Sequence, residues 1–284
     1  TLAFDADYRM VGYHVDTIAN MGAYNSGFAQ SIQTELFSKV LMGTYDVQNA
    51  AMRTRGVYTN TTPVDAYRGA GRPEAIFVLE RCMDQAAREL GVDPWELRRR
   101  NFIRPDQFPY TTATGVTYDV GEFAALLDDV MVKADVAGFA KRKTQDGKLR
   151  GIGLSYYIES ILGDPTETTR VVFENDHTAI YVGTQSNGQG HETVYAQFLS
   201  DQTGIPADDI RVVQGDSDLI PTGGGTGGSR SVTTQNNATL ATVAKITECF
   251  TAFLADEMGV PASAVMRESQ SRDTHDNAIY SAIL

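Results

Sequence analysis

Two short glycine-rich runs, each set between a strand-like and a helix-like segment, constrain this chain more than any other feature. The first is Gln185-Ser-Asn-Gly-Gln-Gly-His191; the second is Thr222-Gly-Gly-Gly-Thr-Gly-Gly-Ser-Arg-Ser231. Residues 178–184 (TAIYVGT) lead into the first run with the aromatic and β-branched content of a strand. From about residue 192, the spacing of Val194, Phe198 and Leu199 predicts a helix. The second run follows a predicted strand at 209–214 (DIRVVQ) and opens a predicted helix reaching about Met258. Leu240, Val243, Ile246, Phe250 and Leu254 are expected to face inward on that helix, and Gly259-Val-Pro261 to end it. A strand–glycine loop–helix unit presents unpaired N–H groups and the positive end of a helix dipole, which suits an anion such as phosphate. Glycine permits positive φ and close approach of a ligand to the backbone.

Charge decides how such an anion would be held. The 284 residues carry a formal net charge of −12, with 18 basic and 19 acidic side chains in residues 1–150 but 6 and 17 in residues 151–284. The second half must therefore rely on backbone amides, with Arg230 the one cation in either run. The same balance argues against nucleic acid or an anionic membrane as a partner. A hydrophobic share of 42% and a charged share of 21% are ordinary for a globular chain, and the length suits one large or two medium domains.

The first half reads as strands at 8–24 and 56–62, the latter closed by Pro63, then the loop Ala66-Tyr-Arg-Gly-Ala-Gly-Arg72. Pro73 and Glu74 mark a helix start and Gly91 its end, with Ile76, Leu79, Met83, Ala86 and Leu90 on one face. Asp93-Pro-Trp-Glu96 has the form of a capping box, and Arg98-Arg-Arg100 reads as solvated cations at a helix C-terminus rather than an anion site. Residues 105–121 read as a crossing loop, 122–150 as one amphipathic helix with a polar hinge at Lys141–Gly147, and 151–158 and 169–174 as strands. The expected fold class is α/β, with α+β mixed sheets and flanking helices, in two lobes, 1–121 and 122–284.

Several chemistries are not encoded. The second run has no Lys before its Ser, so it is not a P-loop, and Asn187–His191 is not G-x-G-x-x-G. His14, His177, His191 and His275 show no metal-ligand spacing, and His191 reads as a helix cap. Asp216-Ser-Asp218 reads as a turn before Pro221, and Glu159 as a carboxylate without a visible partner. Cys82 and Cys249 form no C-x-x-C, so neither an iron–sulfur cluster nor a zinc knuckle is suggested. No apolar stretch approaching a membrane span and no leader pattern are read; a cytoplasmic, reducing setting is expected. Thr1 at the start and the apolar run 278–284 at the end read as the edges of an excerpt from something longer.

Four motifs occur in order: Ala66-Tyr-Arg-Gly-Ala-Gly-Arg-Pro-Glu74 followed by Glu80-Arg81; Asp93–Asn101; Gly188-Gln-Gly-His-Glu-Thr193; and Gly228-Ser-Arg-Ser231. Together they resemble the molybdenum-binding large subunit of the xanthine dehydrogenase/aldehyde oxidase/carbon monoxide dehydrogenase family, over nearly the whole chain but more weakly after about residue 260. The resemblance implies two molybdopterin-binding lobes and a molybdopterin cofactor with Mo, a cytosine dinucleotide in many bacterial members, with no protein side chain on the metal. It implies that Gly188, Gln189, Gly190, His191, Glu192 and Thr193 contact the pterin and its phosphates, and that Gly228, Ser229, Arg230 and Ser231 form a second cradle. Tyr67, Arg68, Gly69 and Ala70 would lie beside the molybdenum, with Arg68 the catalytic candidate and the general-base glutamate outside residues 1–284. Family members that oxidise CO place a copper-binding cysteine where this chain has Gly69. The expectation is therefore hydroxylation of an aldehyde or N-heterocycle with water as oxygen source, by a fragment inactive alone. Electrons would pass to an iron–sulfur small subunit and an FAD medium subunit, with no Fe–S or FAD in this chain. The competing readings are a non-catalytic homologue or binding module of the same fold, a true CO dehydrogenase, and a nucleotide-dependent phosphotransferase.

Overall fold

In a computed structural model of the chain, residues 1–162 and 166–265 are described; His275 and the run 278–284 lie outside them. The chain divides into two compact units, Thr1–Ser160 and Ile161–Leu284. This division falls well after the 121/122 boundary expected from the sequence. The reason is packing: Phe123 and Leu127, just past the Pro/Gly/Thr-rich passage, are buried in the core of the first unit.

In the first unit, β1 (Leu2–Phe4), β2 (Met10–Asn20) and β3 (Ala50–Val57) form a sheet in that order. β1 runs antiparallel to β2; β3 runs parallel to it, from Tyr13 opposite Ala50 to Asn20 opposite Val57. Alternation along β2 buries Met10, Tyr13, Val15 and Ala19. The return between the parallel strands includes α1 (Ala29–Ser31) and a π turn, Ile32–Leu36. The strand expected at 56–62 actually ends at Val57. Arg53 and Arg55, which pair with Asp16, give β3 a charged, exposed face that carries no hydrophobic period.

α2 (Arg72–Leu90) starts and stops where expected, with Pro73 in its first turn and Gly91 left-handed at its C-cap. Its buried face is Ala75, Leu79, Met83 and Ala87 together with Glu80, whereas Leu90 is exposed. The face is rotated from the expected one because a carboxylate occupies the core. Its partner comes from α3 (Pro94–Asn101), whose N-cap Asp93 accepts from Trp95 N at 2.8 Å and Glu96 N at 3.0 Å. Glu96 itself reaches forward to Arg100 at 2.9 Å rather than closing a capping box.

Arg98 corrects the reading of the arginine triplet as solvated helix-end charge. It is 0% exposed and bonds Glu80 Oε2 at 2.9 Å, Asp84 Oδ1 at 2.9 Å and Leu154 O at 3.3 Å. Glu80 also accepts from the Tyr45 hydroxyl and from Tyr156 N at 2.8 Å. Arg99 and Arg100 stay at the surface, paired with Asp128 and Glu96. β4 (Tyr110–Thr111) and β5 (Thr117–Tyr118) make a small hairpin in the expected crossing loop. α4 (Phe123–Lys133) and the short α5 (Phe139–Arg142) follow. Residues 151–158 are not a strand: Leu154, Tyr156 and Ile158 turn inward with period two, but the segment joins no ladder among the described residues. Bonds to Arg98 and Glu80 hold it instead.

In the second unit, β6 (Thr169–Phe173), β7 (Thr178–Val182) and β8 (Ile210–Val213) form a sheet in that order, β6–β7 antiparallel and β7–β8 parallel. α6 (His191–Thr203) is the crossover between the parallel pair and buries Tyr195, Ala196 and Leu199 against Ile180, Val182 and Ile210. α7 (Ser231–Met258) packs on β6 through polar residues: Gln235 donates to Thr168 O at 2.9 Å, and Thr242 to Thr169 O at 3.2 Å. Leu240 and Phe250, expected inside, are exposed because this Thr/Gln stripe, not the apolar one, meets the sheet. Among the described residues α7 is the one helix long and apolar enough by length and composition to cross a membrane, and a single such helix does not make the chain a membrane protein. Small mixed sheets with flanking helices are the architecture expected.

Removing one partner of the buried pair strands the other. Glu80→Gln is expected to lower unfolding stability by about 3 kcal/mol. Glu35→Gln, which breaks the exposed Lys39–Glu35 pair, changes it by under about 1 kcal/mol. Urea unfolding of the two variants side by side measures the difference.

Candidate functional site

The first glycine-rich run carries the chain from β7 into α6. Gly188 (φ +98°) and Gly190 (φ +82°) sit in the left-handed region, and a methyl group at either would meet no heavy atom within 4 Å. Glycine is needed here for its dihedral freedom, and the space in front of the backbone is open. Gly190 caps α6 without any side-chain hydrogen bond, so the first N–H groups of that helix have no side-chain acceptor at the cap. Gln214, at the carboxyl end of β8, braces the run: its Oε1 accepts from Ser186 N at 2.8 Å and its Nε2 donates to Glu192.

His191 is not a cap. It is the first residue of α6, 1% exposed, with its ring centroid 4.8 Å from that of Tyr195. Nε2 lies 3.1 Å from Gln189 Nε2, whereas Nδ1 is buried without a hydrogen-bond partner. Burial pushes its pKa below the usual histidine value, opposed by the neighbouring Glu192 charge. Glu192 and Thr193 are exposed beside it.

The second run lies alongside the first. Thr226 Oγ1 accepts from Gln185 N at 2.9 Å, Gly225 N donates to Gly183 O at 3.2 Å, and Glu167 Oε2 accepts from Gly224 N at 2.9 Å. Gly183 and Gly223 approach so closely that a Cβ on Gly223 would fall 2.5 Å from Gly183 Cα. Arg230 is buried and donates to Gly224 O at 2.8 Å, turning its charge into its own loop. Gly228 O accepts from Leu162 N at 2.7 Å, Ser229 is left-handed at φ +58°, and Ser231 begins α7, whose cap likewise lacks a side-chain bond. The sequence points to both runs but not to the residues outside them that brace them: Glu167 at Gly224 and Gln214 at Ser186. Only Gln214 had a visible signal, as a polar residue ending a strand beside a glycine loop.

Tyr67, Arg68, Gly69 and Ala70 lie in the other unit, at the N-terminus of α2. Tyr67 is 81% exposed and Arg68 is exposed. Gly69 has φ +89°, and a Cβ there would fall 2.7 Å from Pro73 Cγ. A groove of about 430 Å³ beside it is lined by Gly69, Arg72, Phe77, Tyr157 and Glu159. Glu159 does have a partner: Arg72 Nε lies 3.3 Å from its Oε1. Asp216 makes the expected turn, accepting from Asp218 N at 2.9 Å. Among the described residues no group of three or more His, Cys, Asp or Glu can hold a metal ion.

Comparison with known proteins places the chain in a family. Residues 1–102 and 129–281 each match a molybdopterin cofactor-binding domain model. The chain is 33% identical over 270 residues to the carbon monoxide dehydrogenase large chain of Afipia carboxidovorans, covering 86% of this chain and 33% of that protein. It is 33% identical over 249 residues to the nicotine 6-hydroxylase large subunit of Paenarthrobacter nicotinovorans, covering 81% of this chain and 30% of that one. The crystal structure of quinoline 2-oxidoreductase from Pseudomonas putida superposes with a TM-score of 0.77 at 26% identity, over 93% of this chain and 36% of its own. The chain thus spans about a third of the length of the curated relatives it matches. With the matched segments taking in both glycine-rich runs and the Tyr67–Gly71 turn, the chain belongs to the molybdopterin cofactor-binding family of xanthine dehydrogenase, aldehyde oxidase and CO dehydrogenase proteins.

Proposed function

We propose that this chain is the cofactor-binding part of a molybdenum hydroxylase that oxidises an aldehyde or N-heterocycle with water as oxygen source. The observation that carries the reading is the pair of laced glycine runs. They offer open space at Gly188 and Gly190, two helix N-termini without side-chain caps, and the buried, unpartnered Nδ1 of His191. That donor set fits a phosphate-bearing pterin, held by backbone amides where the chain has few cations. Gly188, Gln189, Gly190, His191, Glu192 and Thr193 form the first cradle, and Gly228, Ser229, Arg230 and Ser231 the second. Arg230 acts by shaping its loop through Gly224 O. Tyr67, Arg68, Gly69 and Ala70 lie nearest the metal, with Arg68 the charged group there. The cytosine dinucleotide is the form proposed.

The bound molybdenum cofactor supplies the two-electron redox chemistry, and iron–sulfur and FAD subunits carry the electrons away. The chain's own residues bind and orient. No glutamate within residues 1–284 is given the general-base role, so the fragment alone is proposed to be inactive.

Gly69 favours this substrate class over CO. Copper(I) held against the cofactor needs a soft thiolate, and at this position a side chain meets both positive φ and Pro73. The similarity to a CO dehydrogenase large chain favours the other reading. Dye reduction by the full-length subunit with its partners separates them: turnover with aldehydes or N-heterocycles and none with CO is expected, and CO turnover with copper bound reverses the assignment.

Elemental analysis of the purified full-length protein is expected to find molybdenum, and Gly190→Val to lower its content roughly ten-fold; a molybdenum-free wild type makes the protein a non-catalytic homologue.

His191 is expected to titrate by NMR with a midpoint below about 6.5. Its folded pKa is depressed, so its contribution to stability is full above that unfolded value and fades as pH falls through the folded one. His191→Gln removes that part of the acid sensitivity.

A further inference from the structure

Arg72 is an unusual residue to bury. It opens α2, where a cation meets the positive end of the helix dipole, yet it is 2% exposed. Its guanidinium spans two separate pieces of backbone. Nη1 donates to Gly69 O at 3.3 Å and Ala70 O at 3.2 Å and Nη2 donates to Ser160 O, while Nε makes no hydrogen bond and lies 3.3 Å from Glu159 Oε1 as an ion pair. The turn that it grips is unfavourable on its own. Gly69, Ala70 and Gly71 follow one another at φ +89°, +20° and +87°, and Ala70 is no glycine. Such a backbone persists only where its surroundings over-determine it. Space is equally tight: a Cβ on Gly71 would fall 2.3 Å from Ile32 O.

Resting on the cofactor reading above, we propose that the Arg72–Glu159 clamp is a positioning device. It fixes the direction of the Gly69 and Ala70 peptide groups that face the cofactor, by tying the turn to residues 159–160. Arg72 touches neither cofactor nor substrate and acts through the turn. Glu159, whose side chain is 37% exposed, sets a compensating charge beside the guanidinium. Lysine cannot replace arginine here, because a single ammonium cannot serve acceptors on both segments in a fixed fork.

The test uses the complete subunit purified with its partners, as wild type, Arg72→Lys and Glu159→Gln. Three readouts are taken: molybdenum content, melting temperature, and the Mo(V) electron paramagnetic resonance spectrum after dithionite reduction. Arg72→Lys is expected to shift the Mo(V) signal and to lose cofactor on gel filtration roughly ten-fold faster than wild type. Glu159→Gln is expected to shift the signal the same way by a smaller amount, with a melting temperature near wild type. Should Arg72→Lys fail to fold, Glu159→Gln, at a partly exposed carboxylate, carries the test alone. Unchanged spectra and cofactor retention in variants of a molybdenum-loaded enzyme overturn the clamp. A wild type that binds no molybdenum overturns the cofactor reading itself.

Discussion

The buried contact between Glu80 and Arg98 organises the first unit. Arg98 reaches Glu80, Asp84 and the carbonyls of Pro94 and Leu154, while Glu80 takes the Tyr45 hydroxyl and the Tyr156 amide. Four pieces of chain, distant in sequence, meet on two side chains. Desolvating both charges costs nearly as much as their attraction returns, so such a pair adds little net stability over an apolar substitute. What it does is fix which face of α2 turns inward and where the extended segment 154–156 lies. Burial also pushes the Tyr156 hydroxyl up to about 12, so it remains a neutral donor to Phe123 O at 2.7 Å.

That constraint reaches the Tyr67–Gly71 turn along α2. Glu80 and Arg98 hold residues 154–156 at mid-helix, and Arg72 holds residues 159–160 at the helix start. One extended segment, with no strand partner among the described residues, is thus tied down at two points by charged side chains. The turn at the helix N-terminus is bonded to the same segment through Arg72. In the second unit hydrogen bonds from mostly neutral groups do the same: Thr226 joins the second run to Gln185 of the first, Gln214 braces the first run at Ser186, and Gln235 ties α7 to Thr168. An acidic half with few cations keeps its loops in shape largely with amides and hydroxyls, and Arg230 donates to a carbonyl of its own loop.

Much of this was legible beforehand, for stated reasons. Pro73 and Gly91 bracket α2 because each satisfies a requirement of one helix end. The glycines at 188 and 190 announced left-handed turns, and both are left-handed. Other features were hidden because they depend on partners far away in sequence. Arg98 looks like its neighbours Arg99 and Arg100 until Glu80 and Asp84 are brought against it. Leu240 and Phe250 have the spacing of a core face, but Gln235 and Thr239 sit on the side that meets β6. Residues 151–158 alternate like a strand and are strand-like in burial, yet alternation cannot reveal that the segment joins no ladder among the described residues.

By itself the sequence determined the local chemistry: where backbone N–H groups are left open by glycine and helix starts, how little positive charge surrounds them, and which four motifs occur in order. These are properties of short stretches, in which residue type dictates dihedral freedom and charge. Only the tertiary structure decided which arginine is buried, what partners Glu159 and His191 have or lack, and that the two glycine runs lie side by side. Those outcomes turn on desolvation, and a side chain is desolvated by the rest of the fold rather than by its neighbours in the chain.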